Sequence, residues 1–247
     1  MASRAPREAL SSFRKNIRED FTKPMSVREL NSLPVRTTTE VPFAMYKRGQ
    51  ATLARRRLYP LTAFYTLYAA LVLVIAFSTK HAWGAGAFFA AGCVTWTLVE
   101  YLFHRYVLHG RFPAADGIIR RFLHERLDPL HWDHHKRPLD GRHISGELKD
   151  ILPLFFVAAP VSFLFPVYTL PVLLAGVVLG YVSEEWLHYA LHFCNSRFSL
   201  FRRMKKYHLY HHSPRGIDKG YGITTRFWDG VFDTRFPSSV RRSLSKN

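Results

Sequence analysis

The chain has only two cysteines in 247 residues, Cys93 and Cys194. Two isolated thiols in apolar surroundings build neither a disulfide framework nor a cysteine-rich zinc site, so they read as small apolar fillers. Acidic residues are also scarce: 18 Asp and Glu stand against 35 Lys and Arg, a formal charge of +17. Such an excess points to nucleic acid or to the anionic face of a membrane. A third absence decides between them. No Asp, Glu, Lys or Arg occurs from Leu58 to Thr79, from His81 to Val99, or from Ile151 to Ser183. About 20 apolar residues cross a hydrocarbon core as one helix, so runs of this kind belong in a bilayer.

The last of these runs is too long for one crossing. Continued to Cys194 it reads as a helical hairpin turning near Pro166 and Pro171. Four spans are therefore predicted, at about 58–79, 84–108, 151–168 and 170–193. Basic residues then fall almost wholly on one side: 34 of the 35 lie in 1–57, 104–149 and 194–247, and Lys80 alone lies opposite. By the positive-inside rule that side is the cytoplasm, which places both termini there and makes a nucleic-acid partner unnecessary. The start lacks the charged, apolar, small-residue order of a signal peptide. The expected fold is an all-α integral membrane protein, with four transmembrane helices and a cytoplasmic histidine-rich helical cap. Residues 1–57 form an N-terminal cytoplasmic segment, largely disordered over 1–40 and approaching the membrane surface over 41–57; 58–235 form the membrane domain and 236–247 a C-terminal tail.

What the chain does have is histidine, 13 in all, ten of them in four groups. His104 and His109 lie in "EYLFHRYVLHG" at the end of the second span, and His188 and His192 in "EEWLHYALH" at the end of the fourth. "HWDHH" supplies His131, His134 and His135, and "YHLYHH" repeats the spacing with His208, His211 and His212. Residues three and four apart share a helix face, so each H-x-x-H-H presents its imidazoles to one side. His104 and His109 are five apart, about 140° around an α-helix, so the helix must unwind near Gly110 or bulge for both to reach one site. All four groups emerge at one membrane face. His81, His124 and His143 stand outside the pattern and read as ordinary interfacial polar side chains.

One ion takes about four to six ligands, so ten imidazoles suit two ions. All-nitrogen coordination favours zinc, copper, iron or nickel over calcium or magnesium. Two open, histidine-rich ions beside a bilayer suit dioxygen activation better than they suit holding a fold together. Ligand histidines usually pass their second N–H to an outer partner such as a carboxylate. The candidates are Glu100, Asp133, Glu184, Glu185 and Asp229, the last also explicable as a turn Asp-Gly.

The order H-x4-H, H-x-x-H-H, H-x3-H, H-x-x-H-H resembles the fatty acid hydroxylase and sterol desaturase superfamily of membrane di-metal oxygenases. "HYALH", "KKYHLYHH" and "GYGITTRFWDGVFDT" are similar to the sphingolipid fatty acid 2-hydroxylases, and the resemblance covers about residues 95–235. It implies a non-haem centre of two iron ions, with the ten histidines as ligands. That centre uses dioxygen and two electrons to hydroxylate the carbon beside the acyl carbonyl of a ceramide or related lipid. Zinc competes for such imidazoles in purified samples. Eukaryotic members commonly carry a fused haem domain with an H-P-G-G motif. This sequence has none, so electrons are expected from a separate cytochrome-b-type or ferredoxin-like protein. Members often have Tyr-Asp before the H-x3-H pair. Here Ser183, Glu184 and Glu185 stand there, with Glu185 at the Asp position and expected to accept from His188. The membrane would be the endoplasmic reticulum in a eukaryote and the inner membrane in a bacterium.

Two amphipathic stretches are placed to roof the site from the interface, 118–130 through Ile118, Ile119, Phe122 and Leu123, and 198–207 through Phe198, Phe201 and Met204. A sterol or carotenoid hydroxylase or desaturase of the same superfamily is the alternative enzyme. A non-redox metal carrier or sensor is the alternative of another class, although 60–98 and 151–183 contain no carboxylate to relay an ion.

Overall fold

The protein is described here by a computed structural model covering residues 43–110, 112 and 117–245. The expected disorder of 1–40 lies outside the described residues. Among the described residues every regular element is helical.

Helix α1 (Phe43–Phe77) joins the predicted interfacial approach to the first span without a break, and carries Pro60 inside it. Its buried residues Ala54, Leu58, Leu61, Tyr65, Ala69, Val72 and Ala76 recur every three or four positions, which makes one inward face. The opposite face is equally apolar. Leu67, Leu71 and Val74 are 72, 60 and 67% exposed, which is the signature of a lipid-facing surface. Helix α2 (Ala82–Leu102) runs directly into a π-helix, π1 (Phe103–Leu108). Three helices are long and apolar enough to cross a membrane: Phe43–Phe77, Ala82–Leu108 and α6 (Leu170–Phe193).

The central one is α6, with α1 and α2 packed against it. Glycine makes the second contact possible. A side chain on Gly176 would begin 3.0 Å from the Gly92 Cα and run into the Phe89 carbonyl, so the two backbones touch directly. Small residues at such crossings are what allow apolar helices to associate in lipid.

The third predicted span is shorter than expected. Helix α5 (Leu148–Ser162) has 15 residues, about 22 Å at roughly 1.5 Å per residue against a hydrocarbon core of about 30 Å. It stops because the chain turns before Pro166, whose ring disfavours helical geometry in the residue ahead of it. The hairpin itself lies where the sequence placed it, with residues 163–169 between α5 and α6. At that end His81 stacks on Tyr168 with ring centroids 4.2 Å apart, so the α1–α2 and α5–α6 turns meet, away from the histidine clusters.

The remaining elements form the histidine-bearing end: α3 (Ile118–Phe122), π2 (Leu123–Leu127), α4 (Asp128–Lys136), α7 (Ser199–His211), α8 (Phe227–Val231) and α9 (Ser238–Ser245). Arg126 grips Asp150 with two bonds of 2.9 and 2.8 Å, and Arg57 reaches Glu147 at 2.5 Å, so α1, π2 and the start of α5 are tied together. Ile118 and Ile119 are 90 and 74% exposed rather than packed on the protein, an outward apolar edge as an interfacial helix requires. The stretch expected as a tail from 236 begins with buried Phe236, whose ring lies 4.5 Å from that of Tyr207, and continues as α9 against α7.

Candidate metal centre

The bulge required by the five-residue spacing of His104 and His109 is π1. The His109 amide donates to the His104 carbonyl at 3.0 Å, an i to i+5 bond that widens the turn by one residue. Both imidazoles then face the same way, with ring centroids 5.0 Å apart.

The ten histidines converge as two groups of five, and within each group the ring nitrogens lie within 4.8 Å of one another. One group is His104, His109, His131, His135 and His211; the other is His134, His188, His192, His208 and His212. The H-x-x-H-H motifs are therefore shared. Helix α4 sends His131 and His135 to the first group and His134 to the second, while α7 sends His208 and His212 to the second and His211 to the first. At about 100° per residue, the i and i+4 side chains differ by only ~40°, while the one between them points about 100° away from its immediate neighbour. Sequence reasoning put all three on one side; the structure uses that spread to reach two adjacent sites. His135 of one group stacks on His212 of the other at 4.2 Å.

Eight of the ten are buried, His109 and His212 being partly so. Burial, reinforced by the neighbouring imidazoles, pushes His109 down to about 2 and His135 to about 3, and holds His131, His134 and His208 well below the usual histidine value. Burial also lowers His211 to about 4, against backbone hydrogen bonds that oppose the shift. These rings are neutral at pH 7, each with a free lone pair.

The hydrogen bonds show where two of those lone pairs point. Nδ1 of His104 lies 2.5 Å from the Tyr221 carbonyl and Nδ1 of His211 2.7 Å from the Lys219 carbonyl. A carbonyl only accepts, so each Nδ1 carries the proton and each Nε2 is bare. The bare Nε2 of His104 is buried with no hydrogen-bond partner. In the second group, Nε2 of His208 faces Nε2 of both His192 and His212, at 2.7 and 3.2 Å. One ring nitrogen has a single proton or a single lone pair and cannot satisfy both. A cation among the converging nitrogens resolves each conflict, so the donor set fits a metal ion.

The carboxylates act differently from the sequence expectation. Glu100 accepts from the amides of Ile223 (2.6 Å) and Thr224 (3.0 Å) and from the Thr224 hydroxyl. Asp229 is fully buried and accepts from the Tyr221 amide (2.9 Å), the Gly222 amide (3.3 Å), the Thr234 hydroxyl (2.8 Å) and the Tyr207 hydroxyl (3.2 Å). Burial pushes the Asp229 carboxyl up while its four donors pull it back. Both acids hold the 221–224 loop, and the loop's Tyr221 carbonyl holds His104. Asp133 instead pairs outward with Arg137 at 3.3 Å and Lys136 at 3.8 Å. Glu185 accepts from the Gly146 amide at 3.3 Å, and Glu184 is buried beside it. The His188 ring meets the Ile144 carbonyl, where the sequence had put Glu185. The backbone carbonyls of Lys219 and Tyr221 were not read from the sequence. Their one local signal is the glycine pair around Tyr221, and Gly220 adopts φ 72°, which favours glycine.

His81, His124 and His143 lie outside both groups; His143 contacts Asp140 at 3.2 Å and His124 the Phe112 carbonyl at 2.6 Å.

Several known proteins are similar to this chain. The chain is 36% identical over 157 residues to a dihydroceramide fatty acyl 2-hydroxylase of Arabidopsis thaliana, covering 60% of each. It is 34% identical over 156 residues to the fatty acid 2-hydroxylase of Rattus norvegicus, covering 62% of this chain and 40% of that one. With the ceramide very long chain fatty acid hydroxylase of Saccharomyces cerevisiae it shares 32% identity over 204 residues, 76% of this chain and 50% of the relative. The chain thus spans between 40 and 60% of the length of these relatives. A solved structure of full-length scs7p, with only the hydroxylase domain visible, superposes with a TM-score of 0.62 at 27% identity, covering 73% of this chain and 67% of that one. Residues 89–234, which hold all ten clustered histidines, match the fatty acid hydroxylase family, and the chain belongs to that family.

Proposed function

We propose that the protein is a membrane-bound di-iron monooxygenase that hydroxylates a lipid acyl chain, at carbon 2 of a ceramide-like lipid. The observation that carries this reading is the pair of five-histidine groups at one end of three apolar helices. His104, His109, His131, His135 and His211 would hold one iron, and His134, His188, His192, His208 and His212 the other. Iron held there supplies the reductive activation of dioxygen, with two electrons from a cytochrome-b-type or ferredoxin-like donor. The chain's own residues do the rest. Buried neutral imidazoles exclude water, and the Tyr221 and Lys219 carbonyls keep the bare nitrogens of His104 and His211 aimed inward. Glu100 and Asp229 keep those carbonyls in place. The outward apolar faces leave an acyl chain in the bilayer while its polar end reaches the histidines.

The chain would cross the membrane four times, with α5 and the apolar turn after it forming the fourth crossing. Leu154, Phe156, Val157 and Leu164 are 69, 61, 64 and 80% exposed, as lipid contact requires. Both termini and the histidine groups would face the cytoplasm. Lipid mass spectrometry of cells with and without the chain, under labelled dioxygen, tests the chemistry. One labelled oxygen on an acyl chain is expected, and a lipid profile unchanged by expression would reject the reading. Tags on the two ends of the chain test the topology: protease reaching them from opposite faces of sealed vesicles would mean an odd number of crossings.

A further inference from the structure

Two buried acids, Glu100 and Glu185, stand at corresponding places on two helices. Glu100 is four residues before His104 on the continuous α2–π1 helix, and Glu185 is three before His188 on α6. At these spacings each carboxylate lies on the helix face of its histidine. Glu100 closes a circuit. It accepts from the Ile223 and Thr224 amides at 2.6 and 3.0 Å, and the same loop returns its Tyr221 carbonyl to His104 at 2.5 Å. Glu185 begins a second circuit of the same kind. It accepts from the Gly146 amide at 3.3 Å, and two residues earlier in the chain the Ile144 carbonyl meets the His188 ring. The far side of that ring faces the second histidine group, with Nε2 3.0 Å from Nε2 of His134. The nitrogen turned to Ile144 is therefore Nδ1, and because a carbonyl only accepts, Nδ1 carries the proton.

The 144–146 segment is fitted closely to α6. Tyr181, Glu185 and His188 follow one another at i, i+4 and i+7, which is one face of the helix. A side chain on Gly146 would begin 3.3 Å from the Tyr181 hydroxyl and 3.6 Å from Oε1 of Glu185, so the chain runs close against both. Ile144 is buried with Ala54, Leu58, Tyr189 and Phe193, which seats it on α1 and α6. On the other side of Gly146 the Glu147 amide donates to Asp150 at 2.8 Å. Arg126 and Arg57 grip the Asp150 and Glu147 carboxylates at 2.8 and 2.5 Å. Between these two anchors the Gly146 amide is held by Glu185, and a bond to an ionised acceptor is roughly twice as strong as a neutral one.

We infer that Glu185 is a positioning residue of the second histidine group. It holds the 144–146 segment in place, and the Ile144 carbonyl then keeps His188 turned with its bare Nε2 toward His134. The inference rests on the reading of the ten histidines as a metal centre, not on the lipid reaction.

The test is zinc binding by the full chain in detergent, together with amide exchange of the metal-free protein. Zinc occupies imidazole sites without redox chemistry, so turnover is not needed. Glu185→Met keeps the length of the side chain and removes the acceptor, whereas Glu185→Gln keeps one acceptor oxygen. On a His109→Ala background the first group is incomplete, and Glu185→Met should weaken zinc binding by the second about 10–100-fold, the usual effect of losing an outer partner of a ligand. On a His134→Ala background the second group is incomplete, and the same change should leave binding by the first unaltered. Glu185→Gln should restore the affinity to within about fivefold, the difference between a charged and a neutral hydrogen bond. Exchange over 144–147 should be faster in Glu185→Met and near normal in Glu185→Gln. Methionine is of similar size and has no charge to bury, so the unfolding temperature should not fall.

Equal weakening on both backgrounds would overturn the inference, since it would mark a general loss of structure. So would unchanged exchange over 144–147, or faster exchange there with the affinity of the second group intact. A Glu185→Gln variant as weak as Glu185→Met would overturn it too, because the charge and not the bond to Gly146 would then matter. An unaltered chain that binds no zinc would remove this inference together with the metal centre. One that binds two zinc ions and yet hydroxylates no lipid would sink the hydroxylase reading and leave the role of Glu185 standing.

Discussion

Replacing Asp229 by Asn separates the loop that orients the histidines from the histidines themselves. The carboxylate accepts four hydrogen bonds, two from loop amides and two from hydroxyls, at a fully buried position. Asparagine keeps one acceptor oxygen and turns an NH2 toward groups that also donate. About half of the bonds are lost, and hydrogen bonds to charged groups contribute roughly 1.5–3 kcal/mol each, so the change amounts to ~3–6 kcal/mol. Relief from burying a charge brings the effect toward the lower end. That is enough to free the 219–224 segment, yet below the ~5–15 kcal/mol that holds a domain together. The Tyr221 and Lys219 carbonyls serve only the group containing His104 and His211. The expected result is faster amide exchange over 219–224, about half the bound metal, and activity lower by roughly 10–100-fold, the usual effect of losing an outer partner of a ligand. Mass spectrometry of exchange and metal content by plasma emission read these separately. Normal protection of the loop with full metal content would refute the reasoning, and so would loss of both metals from a chain that remains folded.

Three further changes test other parts of the structure. His134→Ala and His211→Ala remove one member from each group and should lower metal content and abolish turnover, whereas His81→Ala, stacked on Tyr168 at the opposite end, should leave both near normal; full activity in the His134 variant would remove that residue from the site. Gly176→Leu drives side-chain atoms into the Phe89 carbonyl and Gly92, and overpacking of this kind costs about 1–3 kcal/mol or more, so thermal unfolding in detergent should begin at a lower temperature; an unchanged transition would mean that α2 and α6 do not cross there. Metal-free protein should lose stability as pH falls below about 6.5: His131, His135, His208 and His211 stay neutral in the folded state while the unfolded chain binds protons there, and each contributes a slope of ~1.4 kcal/mol per pH unit. A melting temperature flat from pH 7 to about 5 would show that these rings are not held neutral.

The ten histidines and their helical carriers were legible because their spacing repeats and because charge-free runs locate the membrane. The need for a bulge between His104 and His109 was legible too, since five residues do not share a face of an α-helix. The division of each H-x-x-H-H between two groups was not. Both arrangements use the same spacing, and only the position of α4 and α7 relative to α2 and α6 decides. The short α5 was hidden because hydropathy continues unbroken from Ile151 through the turn, while Pro166 and the backbone end the helix at Ser162. Glu100 and Asp229 were expected to accept from ligand histidines, and they accept instead from amides and hydroxyls of the 221–224 loop and its neighbours. Glu185 was expected at His188 and instead meets Gly146, because sequence distance along one helix says nothing of a strand of loop arriving from residue 144.

The exchange of histidines between α4 and α7 has a consequence for the order in which the protein is made. The first group spans His104 to His211, and the second spans His134 to His212. Neither can close while the ribosome is still adding α7, although the helices that carry His104, His109, His188 and His192 are by then available to enter the bilayer. Both sites are finished by the same helix within two residues of each other. Each group is therefore completed only once α7 has been made, after every other helix that contributes to it. Docking of α7 against α4 supplies the last histidines of both groups together, so no partly made chain presents one complete five-histidine group without the other.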